Sequence, residues 1–164
     1  MNRHILYWMA LAAMLWVGCT KEDKEEDIRP IITMTTRDFE VTISLEGNVS
    51  GPDWTIDWGD AETTTIKPGQ ASFRYLFSHS YYSVFVHTIT IKGSSITGLW
   101  SNGNQLTSLD VSANTLLTNL RCSNNQLTTL GVSANTALQH LYCGNNQLTS
   151  LDVSVNTVLQ HLYC

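Results

Sequence analysis

Charge is scarce in this 164-residue sequence: only 14% of the residues are Asp, Glu, Lys or Arg, against roughly a quarter in an average soluble protein. Asn, Gln, Ser and Thr must therefore supply most of the polar surface. No Lys/Arg cluster is present and the formal net charge is -5. The footprint that neutralises a phosphate backbone is missing, which excludes nucleic acid as a partner. Long apolar runs are missing as well. The N-terminal run from Ile5 to Val17 has 13 residues, too few to span a hydrocarbon layer of roughly 30 Å. Catalytic signatures are also absent: there is no nucleophile elbow, no pair of acids in a rigid context and no metal-ligand spacing. The chain therefore reads as a non-enzyme that calls for no metal or cofactor.

What is present begins with a targeting segment. Arg3 and His4 precede the short apolar run, the arrangement of a secretory signal core. Gly18-Cys19 follows it and resembles the lipobox of bacterial lipoproteins, in which the cysteine receives the lipid. Trp16 stands where that pattern prefers Leu. Residues 1–18 are thus expected to be a lipoprotein signal peptide, with Cys19 lipidated. From Thr20 to Asp27 there are five acids and two lysines in eight residues, which leaves nothing to bury and makes 19–30 a solvated acidic tether. A Lys-acid-acid run behind a lipidated cysteine resembles the export signal of surface-exposed lipoproteins. The resemblance implies the outer face of a Gram-negative outer membrane, held by acyl chains.

Between 31 and 93 the pattern alternates every two residues. Phe39, Val41, Ile43 and Leu45 share one face, as do Trp54, Ile56 and Trp58, then Phe73, Tyr75 and Phe77, then Phe85, His87, Ile89 and Ile91. Turn residues separate the runs at Gly47-Asn48, Gly51-Pro52, Gly59-Asp60 and Pro68-Gly69. A small antiparallel β-sandwich is expected. The run from Trp54 to Asp60, together with His79-Ser80-Tyr81, resembles the PKD-like domains of secreted bacterial proteins, immunoglobulin-like sandwiches that serve as spacers or binding modules. Ala61 stands where that family often has a further Gly. Asp53, Asp57, Asp60 and Glu62 could supply oxygens to calcium, but no Asp-x-Asp-x-Asp run accompanies them and turn-forming Asp beside Gly is the simpler reading. His79 is expected to be a packed turn histidine.

From 94 to 164 the sequence repeats itself. Leu99, Leu120, Leu141 and Leu162 are each 21 residues apart, and around them recurs Leu-x-Cys-x-x-Asn-x-Leu, the signature of leucine-rich repeats. Three full coils and a partial one are expected, with the chain stopping mid-coil at Cys164 as a fragment of a longer array or an open edge. The leucines should form internal columns on parallel strands about 4.8 Å apart. Asn104, Asn125 and Asn146 should bond main-chain groups freed where each strand ends. The return limb carries Leu-x-Val-Ser-x-Asn-Thr at 109, 130 and 151. Cys122, Cys143 and Cys164 read as a column of small apolar thiols, with one disulfide left open. Residues three apart on a strand face opposite ways, so His140 with Cys143, or His161 with Cys164, cannot share a zinc ion.

Signal, sandwich ending in Thr88-Ile89-Thr90-Ile91 and repeats, in that order, resemble the leucine-rich-repeat surface lipoproteins of Gram-negative bacteria with an N-terminal PKD-like domain. Function should lie at the outward strand positions. Trp100, Arg121, Tyr142 and Tyr163 are expected to form one exposed ladder, with Asn119, His140 and His161 beside it. Exposed aromatics and Arg favour recognition, although such ladders also stabilise by stacking on one another. The expected role is adhesion to a host or matrix protein or a surface glycan. The alternative is a structural spacer or display scaffold with no ligand of its own.

Overall fold

The computed structural model describes residues 29–47, 53–67, 73–83 and 85–164. The signal segment, Cys19, the acidic run up to residue 28 and the turn pairs at 51–52 and 68–69 lie outside the described residues. The described strands are β1 (Ile31–Thr36), β2 (Glu40–Gly47), β3 (Trp54–Asp57), β4 (Thr63–Ile66), β5 (Phe73–Ser80) and β6 (His87–Lys92). They continue as β7 (Ile96–Trp100), β8 (Ser108–Asp110), β9 (Asn119–Arg121), β10 (His140–Tyr142) and β11 (His161–Tyr163). No helix occurs among the described residues, so the chain is mainly β and no described helix could cross a membrane.

The strands form two sheets, ordered β4-β3-β6-β1-β8 and β11-β10-β9-β7-β2-β5. Alternation does the sorting. Ile32 and Met34 of β1, Ile56 of β3 and Ile89 and Ile91 of β6 turn inward from the first sheet. Val41, Ile43 and Leu45 of β2 do so from the second, and all are fully buried in one core. Trp54 closes one end, its Nε1 donating to Ser94 O at 3.0 Å and its ring meeting Tyr75 edge-on at 5.9 Å. Gly47 is the last residue of β2 beside a register shift, where a Cβ would collide with the Ser95 carbonyl and the Trp54 ring; Asn48 lies outside the described residues. Phe39 and Phe85 are misplaced by a strict two-residue count. They precede β2 and β6 in turns and stand 56% and 71% exposed.

Gly59 and Ala61 both take positive φ, 83° and 74°. The left-handed region costs an L-residue roughly 1–2 kcal/mol, and part of that relief is offset by the larger unfolded-state entropy of glycine. Ala61→Gly should therefore raise stability by about 0.5 to 1 kcal/mol, read as a higher urea midpoint at unchanged slope.

Both sheets run through the boundary at residues 93 and 94. β7 pairs antiparallel with β2 and parallel with β9, while β8 pairs antiparallel with β1. Asn104 seals the junction. Its Oδ1 accepts from Thr42 N–H at 2.9 Å, its Nδ2 donates to Thr42 O at 2.8 Å, and its own carbonyl accepts from Thr36 Oγ1 at 2.6 Å. Beyond β7 the strands pair in parallel with a 21-residue offset, setting Leu99, Leu120, Leu141 and Leu162 side by side. The first three are fully buried. Leu162, on the outermost strand of the sheet, is 41% exposed.

Candidate interaction face

Because side chains alternate along each short strand, the residues flanking the buried leucine point to the opposite side of the six-stranded sheet. Parallel pairing then makes two rows. Gly98, Asn119, His140 and His161 are register partners, and so are Trp100, Arg121, Tyr142 and Tyr163. The sequence-predicted site residues are therefore brought together as one surface. Tyr142 and Tyr163 stack with centroids 4.8 Å apart and planes 9° off parallel, and His140 and His161 do the same at 4.9 Å and 9°. The Arg121 guanidinium lies 4.2 Å over the Tyr142 ring. Cation and ring attract through the ring quadrupole, so the ladder is held together by its own members.

The ladder does not stop at the first coil, which sequence reasoning missed. Arg74 of β5, two strands away in the sandwich, sits 4.9 Å over the Trp100 ring. Gly98 permits this, since a Cβ there would strike Trp100 and the Cβ of Glu46. Glu46 and Arg74 continue the Gly98 row, and Ser44 and Leu76 continue the Trp100 row. Leu76 is 69% exposed. No periodicity in the sequence links 74 to 100; only the antiparallel pairing of β5, β2 and β7 does. Three buried polar atoms on this face lack a partner among the described residues: Trp100 Nε1, Asn119 Oδ1 and Arg121 Nε.

Behind the face, two asparagine columns hold the coils. Asn125 Oδ1 accepts from the N–H groups of Asn104 and Leu106, both at 3.0 Å, and its Nδ2 donates to Ser101 O and Cys122 O at 2.9 and 3.0 Å. Asn146 repeats this for the next coil, taking Leu127 N–H and reaching Cys122 O and Cys143 O. The second column lies in the return limb. Asn135 donates to Val111 O and Asn114 O, and Asn156 to Val132 O and Asn135 O, all within 3.1 Å. The Leu-x-Val-Ser-x-Asn-Thr wording contained that signal. Where each strand ends, Gly103, Asn124 and Asn145 occupy the same left-handed turn position, with φ of 68°, 58° and 56°.

Cys122, Cys143 and Cys164 are free thiols, the first two buried and the last exposed. Burial pushes the Cys122 thiol up to about 12 and the Cys143 thiol up to about 11. At neutral pH both are protonated and behave as small apolar side chains. His140 is half-buried on the outward side while Cys143 is enclosed, so the two do not converge.

In the sandwich the carboxylates serve turns. Asp57 Oδ1 accepts from Gly59 N–H at 2.9 Å, and Asp60 Oδ1 from Glu62 N–H at 3.1 Å. Asp60 Oδ2 is 2.7 Å from His79 Nε2. Desolvation raises the Asp60 carboxyl, but the bonds to His79 and to the Glu62 amide outweigh it and hold the group below its ordinary value. His79 is packed between Trp58, stacked at 4.7 Å, and Tyr81, edge-on at 4.7 Å. Tyr81 donates to Trp58 O at 2.7 Å. These groups tie a turn together.

Parallel strands with a 21-residue offset, inward leucines and asparagine columns are the geometry of leucine-rich repeats. Residues 115–156 match the family described as Leucine Rich repeats (2 copies). A solved structure described as the functional domain of InlJ from Listeria monocytogenes, which includes a cysteine ladder, is similar at 38% identity over 46% of this chain, with a TM-score of 0.43. The chain spans 18% of that structure's length. No curated protein matches the chain.

Proposed function

We propose that the protein is a surface-displayed recognition module, lipid-anchored through Cys19 to the outer face of the outer membrane. In this reading an immunoglobulin-like, PKD-like sandwich carries a leucine-rich-repeat solenoid whose ladder face binds a partner without catalysing a reaction. The observation that carries the reading is the continuous row of Trp100, Arg121, Tyr142 and Tyr163 on repeats whose other formal charges, from residue 94 to 164, are Asp110 and Asp152. Solenoids present such extended strand faces to ligands, and Trp, Tyr and Arg are the residues that dominate binding energies. The stacked rings favour a protein partner over a glycan. A sugar packs its C–H face on an open aromatic face, whereas the Tyr142 ring is flanked by Arg121 and Tyr163, leaving edges and hydroxyls to contact a partner.

The same mutual stacking also supports the second reading, a display scaffold whose ladder only stiffens the coils. Adhesion of the chain to immobilised host matrix proteins separates the two. Replacing Trp100 and Tyr142 together by Ala should weaken binding by about thirtyfold or more, the scale of a lost hot spot. Retained adhesion in a folded double variant would leave the scaffold reading standing alone.

A further inference from the structure

We infer that the ladder face recognises an extended acidic segment of its protein partner, with one carboxylate paired to Arg74 and another to Arg121. This rests on the recognition reading of the same face and specifies its ligand chemistry.

Charge placement is the first observation. The chain carries a net -5, yet from residue 94 to residue 164 the formal charges are only Asp110, Arg121 and Asp152. Both acids lie on the return limb, where each carboxylate accepts a backbone N–H, from Ser112 and from Ser154. The one cation of that stretch is on the ladder. The sandwich adds Arg74 to the same face, where the acids at outward positions of β2, β5, β7, β9, β10 and β11 are Glu46, beside Arg74, and Glu40, at the far end of β2.

The state of the two arginines is the second. Each guanidinium carbon lies over a ring, Arg74 at 4.9 Å from the Trp100 centroid and Arg121 at 4.2 Å from the Tyr142 centroid, and neither forms an ion pair among the described residues. A guanidinium over a ring still carries N–H donors suited to a carboxylate. Sheet order sets these two cations on opposite sides of the Trp100 strand.

The third is a set of polar atoms on this face. Trp100 Nε1 and Arg121 Nε are buried donors with no acceptor, and Asn119 Oδ1 is a buried acceptor with no donor, all on adjacent strands. Unmet polar groups of this kind are unfavourable, so a ligand that offers both acceptors and a donor relieves them by a small shift of the stack. A peptide supplies carboxylate, carbonyl and amide N–H together. Exposed Leu76, in register with Ser44 and Trp100, gives an apolar neighbour of that carboxylate a place to rest.

The probe is immobilised poly-L-glutamate, with polygalacturonate as the carboxylated glycan and poly-L-lysine as the cationic control, each tested against the full chain. Binding to poly-L-glutamate is expected in spite of the chain's net negative charge, weakening as salt rises. Arg74→Gln and Arg121→Gln should each lower affinity at least about tenfold while the chain stays folded, the unfolding midpoint falling only by the lost cation–ring contact, and Glu46→Gln should raise affinity. Unchanged affinity in the Arg74→Gln/Arg121→Gln variant, or a preference for polygalacturonate or poly-L-lysine, overturns the inference. If matrix adhesion is lost in the Trp100 and Tyr142 double variant yet insensitive to both arginines, recognition stands and the acidic ligand falls. If adhesion survives that double variant, recognition itself falls.

Discussion

Asn125→Ala should be the most damaging polar substitution in the repeats, costing about 4 kcal/mol of unfolding free energy in urea titration. The amide is buried and fully used. It takes the N–H groups of Asn104 and Leu106 and gives both its hydrogens to the carbonyls of Ser101, Cys122 and, at 3.3 Å, Ser123. Removing it strands donors and acceptors from two coils at once, each worth roughly 1–3 kcal/mol when water cannot reach it. Asp at this position would keep the acceptor and lose the donors, so Asn125→Asp should recover only part of the loss. Gln126→Ala, one residue on and exposed, should stay within about 0.5 kcal/mol. An Asn125→Ala cost no larger than that of Gln126→Ala would mean the column is ornamental.

The second large effect concerns the leucine column. Leu141→Ala should cost about 3 kcal/mol, the sum of lost transfer energy and the void left in a stack that cannot collapse along its hydrogen-bonded axis. Leu141 is fully buried between Leu120 and Leu162. Leu162→Ala removes the same atoms from a site 41% exposed, and should cost about a third as much, because much of that surface never left water. Chevron or equilibrium unfolding of the two variants side by side reads the ratio directly. Equal costs would refute the column as the source of the coils' stability.

Both effects follow from features written in the sequence at fixed intervals. Leucines every 21 residues announce the register, and the outward ladder follows from it by alternation alone, so the places of Trp100, Arg121, Tyr142 and Tyr163 are legible in the sequence. What could not be read was whatever lacks a period. The union of β7 with β2 and of β8 with β1 joins residues far apart in sequence, and no local pattern encodes such partners. Arg74 over Trp100 depends on that union and was invisible for the same reason. Phe39 and Phe85 erred differently: two-residue counting runs on into turns, because nothing in an alternating stretch marks where hydrogen bonding stops. Ala61 shows the converse. Its place in a turn was visible in the sequence, but only the structure shows that this alanine takes a left-handed backbone conformation.

The shared sheets also bear on how the repeats form. A free solenoid can nucleate anywhere along its length and propagate both ways. Here β7 and β8 are members of the two sheets that also contain β1 and β2, so closing those sheets would lay down the first coil and offer its free amides and carbonyls to the next. Growth is then expected to start at that end and run outward, with the outermost coil the first to unravel.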